Sequence, residues 1–214
     1  MKQSLKYHKI QSIFKRNMEG DKRFIIGDYS TPELKYLKDN DWVFTEKVDG
    51  MNIRIMWNGK EIIYAGRSDN AQIPMPLMYR LDELFKAKIE RFIEIFSEQD
   101  SSVCLYGEGY GAKIQKGGGN YISDGVGFVL FDIQIDGIYL DRESVEDIAS
   151  KLGISVVPII GYGTLDEAIQ IVKKGHLSAW GDFIAEGIVA RPRVEMRTRR
   201  GERIITKVKY EDFN

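Results

Sequence analysis

Apolar and polar residues alternate along the chain with two distinct periods. WVFTEKV (42–48), MNIRIMW (51–57) and EIIYAGR (61–67) are rich in Val, Ile, Phe and Trp, as half-buried strands are. Asp49-Gly50 and Asn58-Gly59 separate them. Both dipeptides tolerate φ > 0, so the spacing predicts two successive hairpins. PLMYRLDELFKAKIERFIEIFS (76–97) instead sets Leu77, Leu81, Leu84, Phe85, Ile89, Phe92, Ile93 and Phe96 at helical spacing and predicts one long helix. Thr31-Pro32 before ELKYLK predicts a short capped helix. DRESVEDIASKLG and TLDEAIQIVKKG predict helices opened by Asp141 and Thr164 and stopped by Gly153 and Gly175. VCLYGEG, GFVLFDIQI, ISVVPII, FIAEGIVARP and ERIITKVKY predict strands, the second apolar enough to be central. Helices inserted among hairpin-linked strands make this an α+β chain with a largely antiparallel sheet. No repeat and no dividing linker is visible, so residues 1–214 are expected to form one domain.

Composition narrows the class. Of 214 residues, 43% are hydrophobic and 29% charged, which is the balance of a folded chain with a real core. No apolar run reaches bilayer length, and MKQSLKYHKIQSIFKRN is basic without the apolar core of a secretory signal. A single Cys104 cannot form an internal disulfide, which fits a cytoplasmic location. A formal net charge of −1 argues against coating nucleic acid by bulk charge and leaves room for a local basic site. RPRVEMRTRRGERIITKVKY is such a site. It gathers Arg191, Arg193, Arg197, Arg199, Arg200, Arg203, Lys207 and Lys209, opposed only by Glu195 and Glu202. It is either a solvated face on a hairpin turning at Gly201 or a surface for phosphates, whose geometry the guanidinium fork matches.

Five short segments have both a plain and a chemical reading. Lys47 beside Asp49-Gly50 is a solvated charge at a turn, or a displayed nucleophile. Glu108 in LYGEGYG ends a strand, but its small neighbours would let a ligand come close. Phe131 in FVLFDI reads first as core. Glu186 in AEGIVARP is a carboxylate in an apolar strand and needs solvent or a partner. Lys207 and Lys209 in ITKVKY alternate as on any exposed edge. Two further lysines, Lys113 and Lys116, lie in the Gly-rich GAKIQKGGGNY, either a solvated loop or one touching nucleic-acid phosphates. It is no P-loop, because no Gly-Lys-Ser/Thr follows. His8 and His176 sit in no motif, and Cys104 reads as core.

Taken in order, Lys-x-Asp-Gly, Gly-Glu-Gly, Phe-Asp-Ile, Glu-Gly-Ile-Val and Lys-Val-Lys resemble the motifs of covalent nucleotidyltransferases, which include DNA ligases, RNA ligases and mRNA capping enzymes. The resemblance runs from about Trp42 to the end. EKVDGMN, AGRSDNAQIP, YGEGYGAKIQKGGGNY, FVLFDI, AEGIVARP and ITKVK are most similar to the RNA ligase 2 branch, the phage T4 kind. Asp49 stands where that branch often has His. The sequence stops five residues past Lys209, so the branch's C-terminal domain is not expected within it.

The resemblance implies an ATP-grasp-like ligase adenylation fold and an ATP-dependent RNA ligase that works through lysyl-AMP. Lys47 would attack the α-phosphate of ATP. A free lysine is protonated at neutral pH, with a pKa near about 10.4, so Lys207, Lys209 and a bound Mg²⁺ or Mn²⁺ are expected to lower it and to neutralise the phosphates. Glu186 would be the metal-linked carboxylate, and Asp49 would help aim Lys47. Phe131 would stack on adenine, and Glu46 would meet the base chiefly through its backbone. Asn52 and Arg67 would lie along phosphate and ribose, and Glu108 would hold ribose hydroxyls. Lys113, Lys116, Arg199 and Arg200 would touch RNA. The implied partners are RNA ends or a nicked duplex, as in RNA repair, with an accessory protein possible in place of the C-terminal domain. Two other enzyme readings remain, a small DNA ligase and a GTP-using capping enzyme, although both families typically need an OB-fold. A module that binds nucleotide or RNA without turnover is the alternative of another class. Intact Lys47, Glu108, Glu186, Lys207 and Lys209 weigh against it.

Overall fold

The computed structural model describes residues 5–96 and 102–213. Strands β1 (Gln11–Ser12), β2 (Phe14–Arg16) and β3 (Phe24–Tyr29) lead to helix α1 (Pro32–Tyr36). Next come β4 (Trp42–Lys47), β5 (Met51–Trp57) and β6 (Ile62–Gly66), then helices α2 (Met75–Leu84) and α3 (Ile89–Ile95). Strand β7 (Val103–Gly111), the one-turn α4 (Gly118–Tyr121), β8 (Val126–Ile135), β9 (Ile138–Tyr139) and α5 (Arg142–Leu152) follow. The chain closes with β10 (Ser155–Val156), β11 (Ile159–Gly163), α6 (Leu165–Lys174), β12 (Gly187–Pro192) and β13 (Thr206–Lys209). It is a mixed α and β fold whose strand pairs are mostly antiparallel. Among the described residues, no helix is long and apolar enough to cross a membrane.

Two compact units are present. The first takes in the segment up to His8 and Asp49–Val157; the second takes in Lys9–Val48 and the segment from Pro158. The first unit is built on the sheet β10-β8-β7-β5-β6, with β9 added on β8. Ile53, Ile55 and Trp57 of β5, Leu105 of β7 and Phe128, Leu130 and Ile133 of β8 point to one face, where Leu77, Leu81, Phe85, Phe92, Val145 and Leu152 cover them. The alternation of β5 puts Asn52 and Arg54 on the other face. There Tyr7 packs on Tyr106, Phe131 and Tyr139, and its hydroxyl donates to the buried Asp132. Phe131 is the extra residue of a bulge, because Tyr106 pairs with Asp132 while Gly107 already pairs with Leu130.

The second unit is built on the sheet β1-β13-β12-β4-β11, with β2 and β3 paired separately. Its core gathers Trp42, Phe44, Ile188, Ala190 and Val208 from the sheet. Leu165, Ala168, Ile169 and Val172 come from α6, and Phe14, Phe24 and Tyr29 from the small hairpin. Both ends of α6 are fixed locally. Thr164 and Glu167 form a reciprocal capping box, and Gly175 takes φ 74° at the exit.

Three sequence expectations fail, each for a physical reason. The Asn58-Gly59 hairpin forms, with Gly59 at φ 87° and Trp57 opposite Ile62. The Asp49-Gly50 hairpin does not: β4 pairs with β11 and β12, and β5 with β6 and β7, so the dipeptide carries the chain from one sheet to another. Neither residue has positive φ. Gly50 is demanded instead by close approach, since a Cβ there would lie 2.3 Å from the Gly109 carbonyl oxygen. The long helix breaks at Phe85 (φ −121°, ψ −59°), and a 3-10 turn over Lys86–Lys88 leads into α3. Across this break Phe85 and Phe92 both reach the core, with ring centroids 5.9 Å apart. The last residue of that predicted helix, Ser97, lies outside the described residues. ISVVPII divides at Pro158, which has no N–H for a ladder. β10 before it pairs with β8, and β11 after it pairs with β4.

Candidate active site

In the second unit the register aligns Lys47 with Gly187 and Gly187 with Lys209, placing both lysines in one row across β4, β12 and β13. Lys207, opposite Val189, stands on the same face two residues away. Gly187 takes φ 155°, and a Cβ there would fall 2.0 Å from the Val208 carbonyl oxygen. That explains the glycine of AEGIV. Glu186, just before it, reaches both lysines: Oε2 is 2.6 Å from Lys47 Nζ, and Oε1 is 2.8 Å from Lys209 Nζ. Neighbouring cations were expected to crowd Lys47, yet a carboxylate stands between it and Lys209. Lys209 also donates to Glu211 at 2.9 Å. Burial works against the Lys209 ammonium, but its bonds to Glu186 and Glu211 outweigh that and hold its pKa above the ordinary lysine value. The same bond to Lys209 holds the Glu211 carboxyl below its ordinary value.

Glu46 precedes Lys47 and therefore points to the opposite face of β4. Its side chain is 1% exposed. It accepts from Ser178 Oγ at 2.6 Å and from the Ala179 N–H at 2.8 Å. The carboxylate thus anchors the segment that leads into Glu186. His176, which starts that segment, has its pKa lowered by burial, with Glu46 acting in the opposite sense.

In the first unit Asn52 and Glu108 are register partners on β5 and β7, on the face away from the core. Asn52 Oδ1 is buried with no hydrogen-bond partner among the described residues, so it is an acceptor available to a donor from outside. Phe131 is half-buried on this face, its ring centroid 5.1 Å from that of Tyr7. Arg67 is exposed just past β6. Arg54, 2% exposed, was not singled out in the sequence. It donates to the Gly66 carbonyl at 2.8 Å and to Asp69 at 2.7 Å, and Asp69 also pairs with Lys6 at 3.1 Å.

Lys113 and Lys116 are exposed on a turn held to the rest of the unit at several points. It contains α4 and is tied to the Lys-x-Asp-Gly segment. Gln115 Nε2 donates to the Gly50 carbonyl at 3.3 Å, and the Asp49 N–H donates to the Tyr121 hydroxyl at 3.0 Å. A Cβ on Gly117 would sit 3.1 Å from Asp49 Oδ2. Gln115 and Tyr121 escaped the sequence reading because no local pattern marks their partners. The basic span is partly consumed within the fold. Arg203 binds Glu195 through two nitrogens at 2.6 and 3.0 Å, and Arg193 pairs with Asp41 at 3.0 Å. Arg199 and Arg200 remain exposed beside the Gly201 turn, closed by Thr198 N–H to Glu202 carbonyl at 2.8 Å. Among the described residues, no three His, Cys, Asp or Glu side chains cluster to cage a metal ion.

Comparison with known proteins identifies the family and the fold. A family model described as RNA ligase matches residues 40–209. A search of curated proteins finds no match. Among solved structures, an RNA ligase of Naegleria gruberi with PPi matches with a TM-score of 0.65 and 18% identity, over 85% of this chain and 53% of that one. A lysine-to-alanine variant of that ligase with ATP and Mn matches with a TM-score of 0.65 and 19% identity, over 85% and 52%. A lysine-to-methionine variant with AMP and Mn gives 0.64 and 19%, over 85% and 53%. The chain spans about half the length of these structures.

Proposed function

The chain belongs to the RNA ligase family, and on that premise we propose that it is the adenylation domain of an ATP-dependent RNA ligase. The observation that carries this is the row Lys47–Glu186–Lys209, one nucleophile candidate bound to a carboxylate that also binds a second lysine. The Naegleria ligase structures with ATP and Mn, with AMP and Mn and with PPi support the choice of nucleotide and metal.

In this reading Lys47 Nζ attacks the α-phosphorus of ATP. A P–N bond forms, the bond to the β-phosphate oxygen breaks, and pyrophosphate leaves. AMP then passes from Lys47 to an RNA 5′-phosphate, and a 3′-OH attacks that phosphate to seal the strand and release AMP. The proton that Nζ sheds before attack has an acceptor 2.6 Å away in Glu186 Oε2. Lys207 and Lys209 share the face of Lys47 and neutralise phosphate charge there. Mg²⁺ or Mn²⁺, when bound, supplies further positive charge at the phosphates. One or two carboxylates plus substrate phosphates suffice to hold such an ion, and Glu186 would be the carboxylate here.

The other roles follow the family pattern. Phe131 stacks on adenine, Asn52 and Arg67 serve phosphate and ribose, and Glu108 takes ribose hydroxyls. Asp49 sets the chain direction beyond Lys47. Lys113, Lys116, Arg199 and Arg200 contact RNA phosphates at an end or a nick. The test is incubation with labelled ATP or GTP and a divalent metal, followed by denaturing electrophoresis. Label from ATP that stays on the protein is expected. Label from GTP would mean a capping-type enzyme, and no label would leave only a binding module.

A further inference from the structure

Lys209 is fixed without any help from Glu211. Its backbone is locked opposite Gly187 in the β12–β13 ladder, and its ammonium is held by Glu186 Oε1 at 2.8 Å. Glu211 nevertheless takes a second of the three ammonium donors, at 2.9 Å. Its own place is also secured. The turn Tyr210–Asp212 is pinned on one side by the Tyr210 N–H donating to the Glu186 carbonyl at 2.9 Å, and on the other by Asp212 pairing with Arg16. The Glu211 side chain itself is 70% exposed, so an incoming anion can displace it.

Lys47, Glu186, Lys209 and Glu211 therefore form a line of alternating charges that cancel. Without Glu211, one positive charge would remain at the end of β13. We propose that Glu211 sets the affinity of this site for polyphosphate by competing for Lys209. It lowers the grip on the triphosphate of ATP, and by the same measure it eases release of the pyrophosphate that leaves. This rests on the reading in which Lys209 faces the phosphates. Glu211 is exposed and Lys209 keeps its bond to Glu186, so the effect is a modest tuning of affinity.

The test is calorimetric binding of inorganic pyrophosphate, and separately of AMP, to the wild type, Glu211→Gln, Lys209→Met and the double variant. Glu211→Gln should bind pyrophosphate about two- to fivefold tighter, as expected for an ion pair with one exposed partner. Its AMP affinity should stay level, and the gain should vanish in the Lys209→Met background. If Lys209→Met weakens pyrophosphate binding while Glu211→Gln matches or falls below the wild type, the inference fails and the reading of Lys209 stands. If Lys209→Met binds pyrophosphate as the wild type does, the reading of Lys209 itself falls.

Discussion

Phe128 and Phe131 lie three residues apart on β8, and truncating each should damage a different property. Phe128 is 5% exposed, meets Phe85 edge-on with centroids 5.4 Å apart, and lies so close over Gly107 that a Cβ there would be 2.2 Å from its ring. Phe128→Ala removes a packed ring and leaves a cavity, a loss of about 3–5 kcal/mol. For a chain of this size that lowers the melting temperature by roughly 6–20 °C. Phe131 lies outside that core, and its packing partner is Tyr7 at 5.1 Å. Phe131→Ala gives up an aromatic pair worth about 0.5–1.5 kcal/mol. With Phe131 in its proposed place on adenine, the larger cost should fall on ATP, because losing a base–aromatic stack weakens binding by about 1–3 kcal/mol, or roughly 5- to 150-fold. Thermal melts and ATP titrations on both variants measure the two quantities. Phe131→Ala that melts as low as Phe128→Ala and binds ATP like the wild type would refute the assignment.

Intact-mass measurement after ATP and metal should show one adenylate on the wild type and none on Lys47→Ala; an adduct on another lysine contradicts the mechanism. Glu46→Ala leaves the Ser178 hydroxyl and the Ala179 N–H without their acceptor, so melting should reveal a loss of about 1–3 kcal/mol, with Glu46→Gln closer to wild type. Burial pushes the Cys104 thiol from 9.0 up to about 12. The folded chain keeps that proton where the unfolded chain loses it, so the contribution is whole below pH 9 and fades as pH rises towards 12. Melts from pH 8 to 11 should therefore fall more steeply for the wild type than for Cys104→Ala, and parallel slopes would argue against it. Charge reversal at Arg199 and Arg200 should slow sealing of a 5′-phosphate nick more than it slows lysyl-AMP formation, and flatten the salt dependence of sealing.

Local signals were legible wherever the physics is local. The Thr164 cap, the αL glycine at 153 and the Asn58-Gly59 turn all follow from neighbouring residues, and all form. Asp49-Gly50 looks the same as Asn58-Gly59 in sequence. It differs because Gly109, about sixty residues later, passes over Gly50, a fact that no short window contains. Pro158 was passed over when ISVVPII was read as a single strand, and no short window shows that the chain leaves one sheet for another there. At the site, Lys47, Glu186 and Lys209 were legible through their motifs. Their mutual pairing was not, and neither was the diversion of the Glu46 carboxylate to Ser178. Glu211 follows the last motif in an ordinary polar tail, and only the three-dimensional placement of Lys209 makes it matter.

The pairing of β4 also sets a timetable for synthesis. The strand that carries Lys47 leaves the ribosome early, while its neighbours β11 and β12 begin only at Ile159 and Gly187. At about 5–20 residues per second, translation takes roughly 6–22 seconds to get from Lys47 to the start of β11, the first of the two. Throughout that interval Trp42, Val43 and Phe44 have no strand to lie against, whereas β5 to β9 can assemble among themselves as they emerge. The strand that carries Lys47 is thus open to wrong pairing in the nascent chain until β11 and β12 emerge to shelter it.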